Sequence, residues 1–596
     1  MTYPPALPAA ICLALILSFR PFAQAIRPIP QDPQPYAAIA NPMPDTLDQK
    51  SRDSANLILS PIRVNQAGYL PGEDNGFYYI GTATQFTVHD AQTQVQVASG
   101  TLIPKGFSTS GSYSVRASNN ASLVTGGDNR YTLAGTPVAG PVQEGRLPKT
   151  LSEGRYTLKI NGAVSAPFLV HKETYAYVRD ALLKFFGVQR SGNSESWFHG
   201  PSHLKDGVPG GWYDCGDHLK EAQTQGYAIA VMGLTSAALS NRDADHYAFN
   251  QARTVNTDGI PDMLREAKHG ADFILAAYTA AGGTVAGMTT SVGGFGQDHN
   301  WWGRPEFQDF APTERGGPVR ELRSELGANV MGLYAAGLAF VSGQWSAYDS
   351  AYASKTLKAA RDLYAYGKAN PKESSSPAYN GGGVTSDDMA LAAIALAWAT
   401  GEKGFIDDVF RNTAIASRAD QAGLKGTFTA GWFVKENPTP LHGNANTSWA
   451  TTHVYALWAF YRLILVDPVR SAKLGITESE RLLLIRDAAF AVVRNISQLA
   501  SVAGGAGATL PIPDPQPGML GGIPFNANWN INLAAEQEWV YNRYLAGNMT
   551  ELFIYYDIAR DIQGMALPGT TGAENWKAPE ARQLLIRSFD YLLGVN

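Results

Sequence analysis

A small β-sandwich followed by a large all-α domain is the architecture this sequence predicts, and two observations carry it. Between Ile62 and about Val170, apolar residues alternate in short runs separated by Gly, Asn and Ser. After Tyr175 they recur at helical spacing and continue so to the last residue. A chain of 596 residues exceeds one ordinary core, so a division of this kind is expected.

Taken in order, residues 1–25 read as an export signal. Ala6 to Ser18 is mostly apolar, Ala23-Gln24-Ala25 gives a small-x-small cleavage pattern, and no Lys or Arg precedes the run. The apolar run is too short for a membrane span, and the expected location is secreted or periplasmic. Residues 26–57, rich in Pro, Asp, Gln and Asn without a period, read as a linker. Residues 58–172 read as an immunoglobulin-like sandwich, with runs such as Gln85–His89, Val95–Val97 and Arg155–Ile160. Residues 173–596 hold roughly eleven helical segments. They are Tyr177–Phe186, Leu219–Leu239, Ile260–Ala280, Glu321–Val341, Ala347–Lys368, Asp387–Thr400, Thr447–Leu465, Glu478–Leu499, Asn532–Ile562, Glu580–Leu593 and the weaker Phe405–Ala416. Ala-rich helices of this kind suit close helix-on-helix packing, with function on the long loops between them.

Composition excludes several classes of partner. Charged residues are 17% and the net charge is -5, with no Lys/Arg run, so neither nucleic acid nor an anionic membrane is an expected partner. Cys12 falls in the export signal and Cys215 is then alone, which leaves no disulfide framework and no Cys-rich zinc site. Aromatics are 11%; most serve packing, and a minority suit the lining of a carbohydrate groove.

The block Gly210-Gly211-Trp212-Tyr213-Asp214-Cys215-Gly216-Asp217-His218-Leu219-Lys220 concentrates the chemistry. Two carboxylates three residues apart in a tight turn point to one side, just before a helix start. Rings beside them can stack on pyranoses while the acids handle protons and water. The plainer reading is an Asp N-cap beside a glycine turn, and the surrounding residues favour the first.

Several blocks in collinear order resemble glycoside hydrolase family 9, in its subgroup with an N-terminal immunoglobulin-like domain. They are Ile62–Pro71, Ala181–Gly192, Gly210–Lys220, Asp258–Ala267, Asp298–Glu306 and Phe589–Asn596, with Cys215 where the family has Ala. The resemblance implies an (α/α)6 barrel and hydrolysis of β-1,4-glucosidic bonds with inversion, in cellulose or a related β-glucan. It implies Asp217 as general base on a water that Asp214 helps hold. Trp212, Tyr213, His299, Trp301, Trp302 and Trp449 are its expected sugar contacts, and Arg304 with Glu306 a structural ion pair. Asp387 and Asp388 resemble the acidic pair of a calcium site, although adjacent acids at a helix start also complement its dipole. No cofactor is needed for the chemistry, and a monomer acting on polysaccharide is expected.

Two departures qualify this expectation. Ser191 and Ser202 stand where a zinc-bearing subgroup has cysteines, so no zinc is expected. The family's block carrying the catalytic acid, a Glu before a final helix, has no counterpart before Asn596, so the barrel is expected to lack its last helix. Glu536, Glu538 and Glu551 precede the wrong helix, and the acid stays unassigned. Three readings remain: a piece of a longer protein, a glucan-binding homologue without catalysis, or another Glu in that role.

Overall fold

The computed structural model describes residues 61–595, except 109–113, 117–129, 133–139, 193–198, 240–244, 246–257, 299–300, 302, 375, 377–378, 380–384, 412–446, 502–540, 569–575 and 577. The export signal and linker therefore lie outside the described residues. No helix among the described residues is long and apolar enough to cross a membrane.

The paired strands of the N-terminal part are all antiparallel among the described residues, and one isolated parallel bridge joins Tyr69 to Val170. Ten strands occur here among the described residues: β1 (Ile62–Arg63), β2 (Gly76–Ile80), β3 (Gln85–Asp90), β4 (Gln96–Ser108), β5 (Ser114–Arg116), β6 (Arg130–Thr132), β7 (Gly140–Arg146), β8 (Gly154–Ile160), β9 (Ala163–Val164) and β10 (Phe168–Val170). Their order is β1-β2-β7-β4-β3-β8-β10, with β9 on β8 and β5 paired to β6 apart. The long β4 makes the sandwich: residues 96–101 pair with β3 and residues 102–108 with β7, so one strand serves both layers. Period-2 alternation then turns Phe77 and Tyr79, Phe86 and Val88, and Tyr156, Leu158 and Ile160 into one shared core. Gly145 is required at its position, because a Cβ there would lie 2.1 Å from the Phe77 ring.

Eleven helices of eight or more residues follow among the described residues: α1 (Thr174–Val188), α2 (Ala222–Ala238), α3 (Asp262–Ala280), α4 (Ala328–Trp345), α5 (Ser350–Ala369), α6 (Ser386–Thr400), α7 (Lys403–Arg411), α8 (His453–Phe460), α9 (Glu478–Ser501), α10 (Tyr541–Ile562) and α11 (Ala578–Leu592). A π-helical turn, Tyr461–Leu465, continues α8. Helices α4, α6 and α8 are buried nearly all round, whereas α5 buries one stripe, including Ala353, Thr356, Ala360, Leu363 and Gly367. Small residues permit the close packing: a Cβ on Gly332 of α4 would lie 2.6 Å from the Asp388 backbone of α6.

Two expected helices start late. The expected helix Glu321–Val341 begins at Ala328, because Arg320 and Arg323 are drawn into ion pairs and Leu322–Arg323 forms a short strand with Ser291–Val292. The expected helix Thr447–Leu465 begins at His453, because the side chains of Thr447 and Thr452 bond buried carboxylates instead.

The sandwich is keyed to the end of the helical part. Gln66 N–H donates to the Leu593 carbonyl at 2.7 Å, Arg587 pairs with Asp74 at 2.8 Å, and the Tyr175 and Phe589 rings lie 4.8 Å apart. Asn65 Nδ2 donates to Asp590 Oδ1 at 2.8 Å. Burial pushes the Asp590 carboxyl up to about 7. Its folded form therefore holds a proton that the unfolded chain releases near pH 4, and stability falls as pH rises from about 4 through 7. Asp590→Asn is expected to flatten that slope, by on the order of a few kcal/mol between the two ends. Denaturant midpoints of both proteins at pH 4.5 and 7.5 check it; equal pH dependence would refute it.

Candidate active site

The acid loop is shaped by glycine and anchored by a buried lysine. Gly210 and Gly211 adopt left-handed backbone (φ 85° and 74°), which side chains with a Cβ disfavour. Lys220, fully buried, donates from Nζ to the carbonyls of Val208 (3.0 Å) and Gly210 (3.1 Å) and pairs with Asp206 at 3.0 Å. The Asp214 N–H donates to the Leu219 carbonyl at 2.8 Å, which closes the turn. Leu219 N–H donates to Asp217 Oδ1 at 3.2 Å. One carboxylate oxygen of Asp214, one of Asp217 and Cys215 Sγ all fall within 4.8 Å of one another. The expected geometry, two acids pointing to one side before a helix, is what the loop provides ahead of α2.

Asp214 has a partner the sequence did not signal. The Tyr379 hydroxyl donates to Asp214 Oδ2, and the Thr224 hydroxyl donates to Oδ1 at 3.4 Å. Tyr379 sits in an aperiodic Ser/Pro/Gly stretch with no local motif to mark it. Burial, then the negative charges of Asp217 and Glu221, push the Asp214 carboxyl up to about 6 against the hydrogen bond from Tyr379. Glu221 is buried and paired with Arg323 at 2.9 Å. The Tyr379 bond favours the ionised carboxylate, so Tyr379→Phe is expected to raise the Asp214 pKa by about one to two units. The acid limb of a kcat/KM profile moves up accordingly; an unmoved limb would show that Asp214 does not govern it.

Behind the loop lies a hydrogen-bonded core of polar groups. The Gln308 carboxamide organises it: Oε1 accepts from His218 Nδ1 (2.5 Å) and His203 Nε2 (2.9 Å), and Nε2 donates to Asp298 Oδ1 (3.1 Å). His203 Nδ1 must then accept from the Tyr213 hydroxyl 2.7 Å away, and that hydroxyl lies 2.5 Å from Ser202 Oγ. Arg320 binds Asp206 at 2.5 Å and Asp298 at 3.2 Å and donates to the His218 carbonyl. Burial pushes His218 down to about 3 and His203 further, so both rings are neutral. Ser202, His203 and Tyr213 thus form a hydrogen-bonded corner, with Ser191 buried near Tyr213. With hydroxyls for thiolates and both His203 nitrogens committed, this donor set does not fit zinc.

The other expected contacts divide. Trp449 is brought to the acids: its half-buried ring packs edge-on against Tyr379, centroids 5.1 Å apart, and its carbonyl accepts from Gln223 at 2.8 Å. Trp212 is a correction. It is 3% exposed within the helical core, and its Nε1 donates to Glu266 at 2.7 Å, so it offers no face to a sugar. The position is dictated by close packing: a Cβ on Gly270 would lie 2.4 Å from the Trp212 ring. Tyr213 is also buried; it borders a cavity of about 360 Å³, lined further by Gln189, His199, Cys215, His218 and Arg304, with its hydroxyl committed inward. Trp301 is half-buried with the Arg315 guanidinium 5.0 Å from its centroid. Arg304 and Glu306 form the expected ion pair at 3.0 Å. His299, Trp302, Glu536 and Glu538 lie outside the described residues. Glu551 is fully buried and accepts from Thr447, which removes it as an acid for an exposed leaving group.

Asp387 and Asp388 open α6 side by side and are both buried. Thr452 N–H donates to Asp387 Oδ2 at 2.7 Å and its hydroxyl to Asp388 Oδ1 at 2.6 Å, while Asp387 Oδ1 lacks a hydrogen-bond partner among the described atoms. Burial pushes the Asp387 carboxyl up.

Comparison with known proteins defines the class. The model of glycosyl hydrolase family 9 matches residues 175–596, and that of the cellulase N-terminal ig-like domain matches residues 59–138. With well over half its length matched, the chain belongs to glycosyl hydrolase family 9. Similar curated proteins include Endoglucanase 4 of Bacillus sp. (strain KSM-522), 29% identical over 255 residues (40% of this chain, 37% of that one). Endoglucanase A of Fibrobacter succinogenes is 27% identical over 304 residues (47% and 64%). The matched region therefore spans between about a third and two thirds of these relatives' lengths. Among solved structures, a metagenome-derived glycoside hydrolase family 9 endoglucanase aligns with TM-score 0.56 at 18% identity, covering 91% of this chain and 84% of that one. A Bacteroides ovatus protein of the same family aligns with TM-score 0.53 at 17% identity (90% and 84%). These likenesses show the fold.

Proposed function

We propose that this protein is an endo-acting β-1,4-glucanase, inverting, with Asp217 as general base. The observation that carries the reading is the Asp214/Asp217 pair, both from one turn and facing one space, with Tyr379 and Trp449 beside it. A base and an acid, or a nucleophile and an acid, must flank the scissile bond; two acids of one turn approach from the same side. They suit a shared grip on a water. Asp217 removes its proton as the water attacks the anomeric carbon, the glycosidic C–O bond breaks, and the departing oxygen takes a proton from a general acid that stays unassigned. Asp214, pinned by Tyr379, accepts the second hydrogen and aims the oxygen. Trp449 offers an apolar ring to a pyranose face. The helices close into the six-hairpin barrel implied by family membership, and the protein acts as an exported monomer on soluble or amorphous β-glucan.

We also propose calcium at the start of α6. Asp387 and Asp388 would hold it, with Asp387 Oδ1, which no donor among the described residues satisfies, as a candidate ligand oxygen. The ion would link α6 to the Thr452 turn and take no part in the chemistry. Chelation is expected to lower the melting temperature by several degrees, with recovery on added calcium and not magnesium; an unchanged melting curve would remove the ion from the account.

The test of function is reducing-sugar release from carboxymethyl-cellulose and barley β-glucan beside xylan and chitosan. Release from the first two alone is expected. Glucan binding without release would make the chain a binding homologue, and release from xylan or chitosan alone would move the substrate class.

A further inference from the structure

We propose that Glu551 is a positioning residue that clamps the turn carrying Trp449 and so sets the aromatic wall beside the acid pair. The proposal rests on the glucanase reading for its kinetic consequence and on the fold alone for its structural one. Residues Thr447–Thr452 form a tight turn closed by the Ser448–Thr451 bridge. At the first end, Glu551 Oε1 accepts from the Thr447 N–H at 3.1 Å and from its hydroxyl at 2.7 Å. At the other, Thr452 donates to Asp387 and Asp388. Between them, the Trp449 carbonyl accepts from Gln223 of α2. Hydrogen bonds thus tie the turn to three helices, α10, α6 and α2.

Glu551 is fully buried in the middle of α10. A carboxylate there costs several kcal/mol unless its hydrogen bonds compensate, and an apolar residue would serve helix packing better. Glu551 Oε1 accepts both bonds from Thr447 of the turn, and Tyr455 of α8 stands next to it, its hydroxyl 3.0 Å from that of Tyr227. From Thr447 the chain reaches Trp449 in two residues, and that ring abuts Tyr379, whose hydroxyl grips Asp214. Loss of the clamp frees the platform and leaves Asp214 and Asp217 in place. This is loss of uniform binding, which raises KM and spares kcat.

The experiment compares wild type with Glu551→Leu, Glu551→Gln and Thr447→Val. For cello-oligosaccharides, Glu551→Leu is expected to raise KM about tenfold with kcat within about threefold, and Glu551→Gln, which keeps an acceptor oxygen, to recover most of the loss. Thr447→Val, which removes only the hydroxyl donor, is expected to raise KM about threefold and serves if Glu551→Leu does not fold. Unchanged KM in both Glu551→Leu and Thr447→Val, or a fall in kcat alone, overturns the proposal. Acrylamide quenching of the Trp449 fluorescence, taken as the difference from Trp449→Phe, is expected to increase in Glu551→Leu or Thr447→Val. That readout needs no substrate. A protein that cuts no glucan yet shows the increased quenching sinks the glucanase reading and keeps the clamp; unchanged quenching sinks the clamp.

Discussion

Asp217→Asn is expected to lower kcat by about 10²–10⁴-fold with KM nearly unchanged. Asn keeps the shape and the acceptor that caps the Leu219 N–H at 3.2 Å, so the loop stays closed. What disappears is the group that takes the proton from water. Asp214→Asn is expected to cost less, because that residue aims the water and does not receive its proton. Steady-state kinetics on a cello-oligosaccharide separate the two. Equal losses would mean that the acids share the proton, and a larger loss in Asp214→Asn would exchange their roles.

Arg320→Met is expected to destabilise the protein by about 3–5 kcal/mol, the cost of breaking a buried ion pair on one side. Arg320 is 4% exposed and holds both Asp206 and Asp298. Without it, Asp298 keeps only hydrogen bonds and Asp206 depends on Lys220, which burial already pushes down to about 8. The damage reaches the site, since Arg320 also binds the His218 carbonyl, one residue from Asp217. Arg320→Lys is expected to recover little, because one ammonium cannot replace a fork that spans two carboxylates and a carbonyl. Denaturant unfolding measures the first effect and kcat at low temperature the second. A loss below about 1 kcal/mol would mean that the network is not a unit.

What the sequence made legible was periodic or contiguous. Alternation in Phe86 and Val88 or in Tyr156, Leu158 and Ile160 is local, and so is the spacing of Asp214 and Asp217; both could be read directly. Tyr379 could not, because it reaches Asp214 across 165 positions from a stretch without a period. Trp212 was misread for a related reason. A ring beside paired carboxylates looks like a wall of the cleft, yet successive residues point opposite ways, and Glu266, 54 positions on, decides which way this one faces. The helix starts near Glu321 and Thr447 were placed too early because charged and hydroxyl residues are compatible with a helix until distant carboxylates claim them. Serines at 191 and 202 indicated that zinc would not fit. That Tyr213 would close the corner depended on folding.

Proton NMR of the first product formed from cellopentaose tests the central claim most directly. Attack by a single water held on Asp214 and Asp217 inverts the anomeric carbon, so α-anomer is expected to appear first and mutarotate to the β form. Initial β-anomer would require a covalent intermediate on one of these acids and would contradict the assignment of Asp217 as base.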